Sequence, residues 1–340
     1  MSNHLSPVHM AKSEPMVFKT FSYNECQVFS PPLGFPERIV RYLFIICVLM
    51  VILVSFQLIL LINKRKKLRI STFTTMTNPD ERNDPWKEAL SCYESFSDEV
   101  VVVGNDWPKE FKFDLIGKFY QKGFDKSSGD WVLRMDIDYF FHEKNLDRIR
   151  TYLSKNSDAP AISFPQYQFF TPERYQIKTR LCIAINKKKF PNVKFNGGGD
   201  LCLPTIDGAI IDPRKMPNIN VPIYQYDSLF RTQDMISEDR ARFARAWFKQ
   251  FNEYGDRGGP SPEEAFEAWF EVVKSKYRYH VHKIKIDDHP NYIIKNLQDL
   301  SQNQFGFNAF GLKNTTKRPL INYIKGYREK YINSYTNNLF

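Results

Sequence analysis

The stretch "SSGDWVLRMDIDYFFHE", Ser127 to Glu143, decides how the rest of the chain is read. An apolar run (Trp131, Val132, Leu133, Met135) ends in two acids, Asp136 and Asp138, separated only by Ile137. The run predicts a buried strand. On an extended chain the side chains at i and i+2 share a face. Two carboxylates held so close repel each other, and a cation or solvent must absorb the charge. The pattern therefore predicts a strand whose carboxyl end presents paired acids to a ligand.

Working outward from this strand, short apolar segments alternate with amphipathic ones, and no internal repeat occurs. "ISTFTTM" from Ile70 is β-rich and ends at the turn-prone "TNPDERNDP". A helix is expected over Pro85 to Phe96, then "DEVVVVG" (Asp98 to Gly104) as a strand too continuously apolar to be half exposed. Another helix is expected near Phe113 to Lys122, ahead of the Asp136/Asp138 strand. Leu146, Ile149 and Leu153 then form a helical stripe, and "APAISFPQYQFF", "KTRLCIAINKK" and "VPIYQY" read as further strands. Two helices follow: one keeps Phe243, Trp247 and Phe251 in register, and the other opens with a Ser261/Glu264 capping box and Pro262 at its first position. The Gly-rich "NEYGDRGGPSP" lies between them. Such alternation predicts an α/β domain with a mainly parallel sheet flanked by helices, its ligand beyond the carboxyl ends of the strands.

The formal charge of +10 is unevenly placed. Lys64, Arg65, Lys66, Lys67 and Arg69 supply five positive charges, whereas Ile70 onward carries 39 basic against 35 acidic residues. A balance of about +4 over that length is not a nucleic-acid surface, and no nucleic-acid partner is expected. The basic run flanks "YLFIICVLMVILVSFQLILLI", Tyr42 to Ile62, which carries no charge and is long enough for a single transmembrane helix. The expected organisation is a disordered tail (1–41), the transmembrane helix (42–62), a basic juxtamembrane segment (63–69), the α/β domain (70–297) and a C-terminal extension (298–340). The positive flank expects that domain on the cytosolic side of a membrane; a lumenal domain would need the reverse orientation. The cysteines show no disulfide framework, which agrees weakly with the cytosol.

With these segments in place, "TTMTNPDERNDPWKEALSCYESFSDEVVVVGNDW" followed by "FYQKGFDKSSGDWVLRMDIDYFFHEKNLDRIRTYL" resembles the glycosyltransferase family 2 pattern of GT-A fold enzymes, a Rossmann-like fold that handles nucleotide-diphospho-sugars. The likeness continues through "KTRLCIAI", "FNGGGD", "VPIYQYDSLFRTQDMISEDRARF" and "DDHPNYI". It implies an enzyme that moves a sugar from a nucleotide-sugar donor to a glycan, lipid or protein acceptor, inverting at the anomeric carbon, with Mn2+ or Mg2+ as cofactor. It also implies that Asp136 and Asp138 form the metal and diphosphate site, with Asp138 the more direct ligand. The loop Thr77 to Asp84, with Thr77, Asn78 and Glu81, would hold the nucleotide together with the end of the "DEVVVVGND" strand.

There the chain departs from the pattern, because Gly104 stands where an acid is usual, and Asp106 two residues later is the candidate substitute. Gln225 stands where relatives often have His. For the general base that accepts the acceptor hydroxyl proton, the resemblance points to Asp200 after the glycines of "FNGGGD", with Asp227, Glu238 and Asp239 as rivals. Two other functions stay open: a metal-dependent phosphohydrolase or nucleotidyltransferase using the same acids, which would need further converging ligands, and a non-catalytic membrane protein with a degenerate transferase domain. Alternation in "YRYHVHKIKIDDHP" puts His280 and His282 on one strand face, where with His289 they could bind a metal; ordinary strand and turn roles compete with that.

Overall fold

A computed structural model of the 340-residue chain describes residues 36–63, 68–105, 107–108, 110, 112–197 and 202–335, with the backbone alone for 37–38, 56–63, 179, 182 and 329–335. The chain divides into two units, Met1–Lys66 and Lys67–Phe340. Of the tail expected to lack structure (1–41), residues 1–35 lie outside the described residues, whereas Glu37 to Arg41 are already helical, the first turn of α1, which corrects that boundary.

In the first unit, α1 (Glu37–Asn63) is a 27-residue helix that contains the apolar run. Its described side chains, Ile39 to Ser55, are exposed, Phe44 at 70% and Val51 at 66%. Among the described residues no helix is long and apolar enough to cross a membrane, so the expected transmembrane segment is not a finding of the structure.

The second unit begins with β1 (Ile70–Thr75), α2 (Trp86–Phe96), β2 (Glu99–Val103), α3 (Leu115–Lys126), β3 (Trp131–Arg134) and β4 (Tyr139–Phe140). After α4 (Leu146–Lys155) come β5 (Ala161–Thr171) and β6 (Arg174–Ile185), then the small strands β7 (Lys194–Gly197), β8 (Leu203–Ile206) and β9 (Ala209–Ile210). Next are β10 (Ile223–Gln225), α5 (Gln233–Phe251), α6 (Pro262–Tyr277) and β11 (His282–Lys283). The chain continues through α7 (Asn291–Gln298), α8 (Phe305–Asn308), α9 (Leu312–Thr315) and α10 (Leu320–Tyr335).

The main sheet has the order β2-β1-β3-β6-β5-β10-β4, with β11 pairing β6; β7-β8-β9 form a separate sheet. The expectation of a mainly parallel sheet is corrected. Pairs β1/β2, β1/β3 and β5/β10 are parallel, but β6 lies antiparallel between β3 and β5, and β4 runs against β10. The reason is local: β5 and β6 form one long hairpin closed by Pro172 and Glu173, so β6 must return in the opposite direction. Register shifts along that hairpin curl the sheet. Still, β1, β3 and β10 point the same way, so their carboxyl ends open on one side.

All four residues of β3 are buried, as its apolar run predicts, and Trp131, Leu133 and Met135 join the main core. The valines of β2 behave differently. Only Val103 is buried, and Val102 is 38% exposed, because β2 is an edge strand paired with β1 alone. Its continuous apolar run does not mark a strand covered on both faces. The capping box of α6 forms as expected: Ser261 Oγ accepts from the Glu264 amide and the Glu264 carboxylate from the Ser261 amide, each at 3.2 Å. Phe243, Trp247 and Phe251 of α5 do share a face, and all three pack around Phe113.

The three histidines do not converge. His280 stacks on Phe170 at 4.4 Å, and His282 stacks on Tyr175 at 5.1 Å. His289 Nε2 donates to the Pro172 carbonyl at 2.9 Å, while its Nδ1 lies 2.8 Å from the Tyr226 hydroxyl. β11 spans only His282–Lys283, so the alternation that put His280 and His282 on one strand face is not realised.

These buried rings predict an acid sensitivity. Loss of hydration pulls His280 down to about 3 and His289 to about 4, against an ordinary value near 6.5. A base whose folded pKa is depressed stabilises the fold fully above its unfolded pKa, and that contribution is lost as pH falls below about 6.5 toward the folded value. Stability read from the urea midpoint is expected to fall between pH 7 and pH 5 by about 1.4 kcal/mol per pH unit for each histidine once below pH 6.5. His280→Phe should remove one histidine's share of the slope; an unchanged slope would contradict this assignment.

Candidate functional site

The acids that open the sequence sit on a turn. After β3, the Tyr139 amide donates to the Asp136 carbonyl at 2.8 Å, so Asp136 and Asp138 belong to a tight turn between β3 and β4 rather than to an extended chain. The buried Tyr93 braces this turn from α2, donating its hydroxyl to the Asp136 carbonyl at 2.6 Å. From the far side, the Tyr226 amide donates to the Asp138 carbonyl at 3.0 Å. The turn thereby keeps both carboxylates in one place by backbone contacts, leaving their oxygens to the cleft.

That cleft has a volume of about 320 Å³ and opens beyond the carboxyl ends of β1, β3 and β10. Thr75 and Thr77 line it after β1, Asp136 and Asp138 after β3, and Asp227 after β10, with Trp107 and Tyr120 on one wall. Four arginines also line it: Arg82, Arg231, Arg240 and Arg242. Arg231 donates through Nε to Asp84 Oδ1 at 2.9 Å and through Nη1 to Asp239 Oδ2 at 3.1 Å. Arg82 reaches the same two acids at 3.2 and 3.6 Å.

Charge and burial set the acids apart. The Asp138 carboxyl is pushed up to about 7, first by loss of hydration and then by Asp136, Asp227 and Asp84; Arg231 opposes this. For Asp227 burial also acts upward, but Arg240, Lys178, Arg231 and a hydrogen bond from Ser228 outweigh it and hold the group below the ordinary range. Gln168 Nε2 donates to Asp227 Oδ2 at 2.8 Å and is itself positioned by Gln176 at 2.6 Å. For half-buried Asp239 loss of hydration acts upward as well, but Arg82, Arg231, Arg240 and Arg242 hold it far lower.

Because Arg231 is 11% exposed and bridges two acids, it also holds the cleft together. Removing one partner of a buried ion pair leaves an uncompensated charge and typically costs about 3–5 kcal/mol. Arg231→Ala is expected to lose stability of that order in urea unfolding, and a loss below about 1 kcal/mol would show that Arg82 alone neutralises Asp84 and Asp239.

Of the residues singled out from sequence, Thr77, Asp136, Asp138, Asp227 and Asp239 line this cleft together, whereas Glu238 is exposed and outside the lining. Asn78 and Glu81 lie on the same loop but are exposed and outside the lining. Asp106 and Asp200 lie outside the described residues. Gly104 has a local explanation. It adopts φ +99°, and a Cβ there would stand 2.9 Å from the Met76 carbonyl oxygen, so the acid usual at this position would be strained. Gln225, in place of the expected His, is buried with its Nε2 3.4 Å from Asp138 Oδ2.

Among the described residues no three His, Cys, Asp or Glu side chains converge to hold a metal ion. Two carboxylates without a third protein ligand fit a cation that takes its other ligands from water and phosphate oxygens, the usual habit of Mg2+, rather than an all-protein cage. The four arginines fit the anion such a cation would accompany.

Compared with known proteins, the chain matches no family model and no curated sequence. Among solved structures it is similar to two of TarS from S. aureus. The crystal structure of residues 1–349 of that protein gives a TM-score of 0.31 at 11% identity, over 63% of this chain and 76% of that one. A longer TarS structure gives 0.30 at 12% identity, over 79% of this chain and 54% of that one. A likeness of this size assigns neither an activity nor a role to any residue.

Proposed function

We propose that this chain is a metal-dependent glycosyltransferase that moves a sugar from a nucleotide-sugar to an acceptor hydroxyl with inversion. One observation carries the proposal: the paired Asp136 and Asp138 line one cleft beyond the strand ends together with Arg82, Arg231, Arg240 and Arg242. Acids alone would suit many cations, and arginines alone many anions. Together they suit a cation and a diphosphate bound side by side.

In this scheme Asp136 and Asp138 hold Mn2+ or Mg2+, which supplies positive charge to the leaving diphosphate. Arg240 and Arg242, less tied up than Arg231, neutralise the rest of that charge. Thr77 and the wall formed by Trp107 and Tyr120 face the nucleoside. A second cavity, of about 230 Å³, shares Asp227, Arg240 and Phe243 with the first and continues past Gln168, Phe170 and Trp269. The acceptor enters there, so its hydroxyl meets Asp227 at the junction of the two spaces. Asp227 takes the hydroxyl proton as that oxygen bonds to the anomeric carbon, and the bond from that carbon to the diphosphate oxygen breaks with its electron pair leaving on the nucleoside diphosphate. Asp239, enclosed by arginines, is the poorer base; Asp200, the base to which the resemblance pointed, is the alternative to Asp227. The apolar run within α1 is the proposed membrane anchor, with the basic run after it at the cytosolic face.

The test is turnover of a nucleotide-sugar panel by the full chain in detergent, with and without Mn2+. The expected result is Mn2+-stimulated release of nucleoside diphosphate from one donor class. Release of inorganic phosphate or nucleoside monophosphate would instead favour a phosphohydrolase, and no release from any donor would favour a degenerate, non-catalytic domain.

A further inference from the structure

The solvent side of α10 carries the wrong chemistry for water. Leu320 is 75% exposed, Ile321 52%, Ile324 55% and Tyr327 45%, at spacings of i, i+1, i+4 and i+7, which form one continuous helical stripe. The opposite face is fixed to the domain. Asn322 and Gly326 are buried, and a Cβ on Gly326 would stand 2.5 Å from Val281 Cγ2, so glycine permits the close seating. His282 Nε2 donates to the Gly326 carbonyl at 3.3 Å, and its ring meets Tyr327 edge-on at 5.0 Å. With that face seated, Leu320, Ile321 and Ile324 can only point outward. A contiguous exposed apolar patch of this kind marks an interaction site.

The charge around the stripe selects its occupant. Exposed Lys317, Lys325 and Arg328 border the apolar residues, and from Lys317 to Tyr335 the sequence holds five basic residues against one acid, Glu329. Apolar side chains on one helical face rimmed by lysine and arginine suit the interface of a bilayer, where the apolar stripe sinks among acyl chains and the cations meet anionic headgroups. A protein partner of ordinary composition would leave these cations without a matching field.

We propose that α10 docks the domain on an anionic lipid surface through Leu320, Ile321, Ile324 and Tyr327, with Lys317, Lys325 and Arg328 on the headgroups. This surface is separate from the cleft, so the proposal stands whether or not the domain transfers sugars.

The experiment places photo-crosslinking p-benzoylphenylalanine at position 324 of the full chain, reconstituted into phosphatidylcholine vesicles with or without phosphatidylglycerol. The expected product is a lipid adduct, identified by mass, whose yield falls at least about tenfold without phosphatidylglycerol or in the Lys317→Glu, Lys325→Glu, Arg328→Glu variant. The same probe at the exposed Lys274 of α6 should give no lipid adduct. Three results would overturn the proposal: an adduct to a second copy of the chain, no lipid adduct at 324, or equal lipid adducts at 324 and 274. The charge-reversal variant leaves the buried face of α10 intact, so a loss of adduct there reports the surface and not the fold.

Discussion

Asp138→Asn is expected to abolish sugar transfer while leaving the fold intact. The side chain keeps its size, and the turn that carries it is held by backbone contacts from Tyr93, Tyr226 and Tyr139, none of which uses the carboxylate. What the substitution removes is charge. Asp138 lies with Asp136, Asp227 and Asp84 in one cleft, and loss of hydration together with their repulsion raises its pKa to about 7. A cation would relieve that repulsion, and this is the physical basis of the metal site proposed at Asp136 and Asp138. With Asn at 138 the binding of Mn2+ and of nucleoside diphosphate should weaken together, because each supplies part of the other's site. Circular dichroism and the urea midpoint should match wild type or exceed it, since one crowded acid is gone. Transfer near the wild-type rate would place the metal elsewhere.

The second large effect is expected from Asp227→Asn. General-base assistance contributes about 10²- to 10⁴-fold, and transfer to acceptor should fall by about that factor. Asp227 stands at the junction of the two cavities and is held there by Gln168 and Ser228. Its amide counterpart can still meet both, so donor affinity should change little. Asp239→Asn is the informative comparison: loss of the acid that pairs with Arg231, Arg82 and Arg242 should act chiefly on stability. If Asp239→Asn lowers the rate at unchanged donor affinity and Asp227→Asn does not, the base is Asp239. If neither does, Asp200 takes the role.

The parts of this site that were legible in the sequence are those encoded within a few residues. The Asp136/Asp138 pair follows directly from an apolar run that must be buried, whereas Thr77 and Asp227 come only from the family resemblance. The arginine wall was not legible, because it assembles Arg82 from the loop after β1 with Arg231, Arg240 and Arg242 from a segment nearly half the chain away. Arg231 and Asp84, for example, are 147 positions apart. The alternation of acid and arginine in "SEDRAR", which places Asp239, Arg240 and Arg242 together in α5, is the one local signal that could have pointed to it, and it went unread. Strand direction was equally hidden. Apolar patterning reports burial but not polarity of the chain, so only the two-residue connection between β5 and β6 reveals that β6 runs backward. The edge position of β2 was masked by its four valines, which pack on one side and tolerate exposure on the other. Gly104 looked like a missing acid, and its backbone conformation explains why no acid stands there.

Calorimetric titration of nucleoside diphosphate into the full chain, with Mn2+ and then with a chelator, tests the central claim most directly. A cleft in which two carboxylates hold the cation and arginines hold the anion predicts binding that is at least about tenfold tighter with Mn2+, the reciprocal coupling of two ligands that share a site. Equal affinity with Mn2+ and with chelator, or no binding in either, would contradict it.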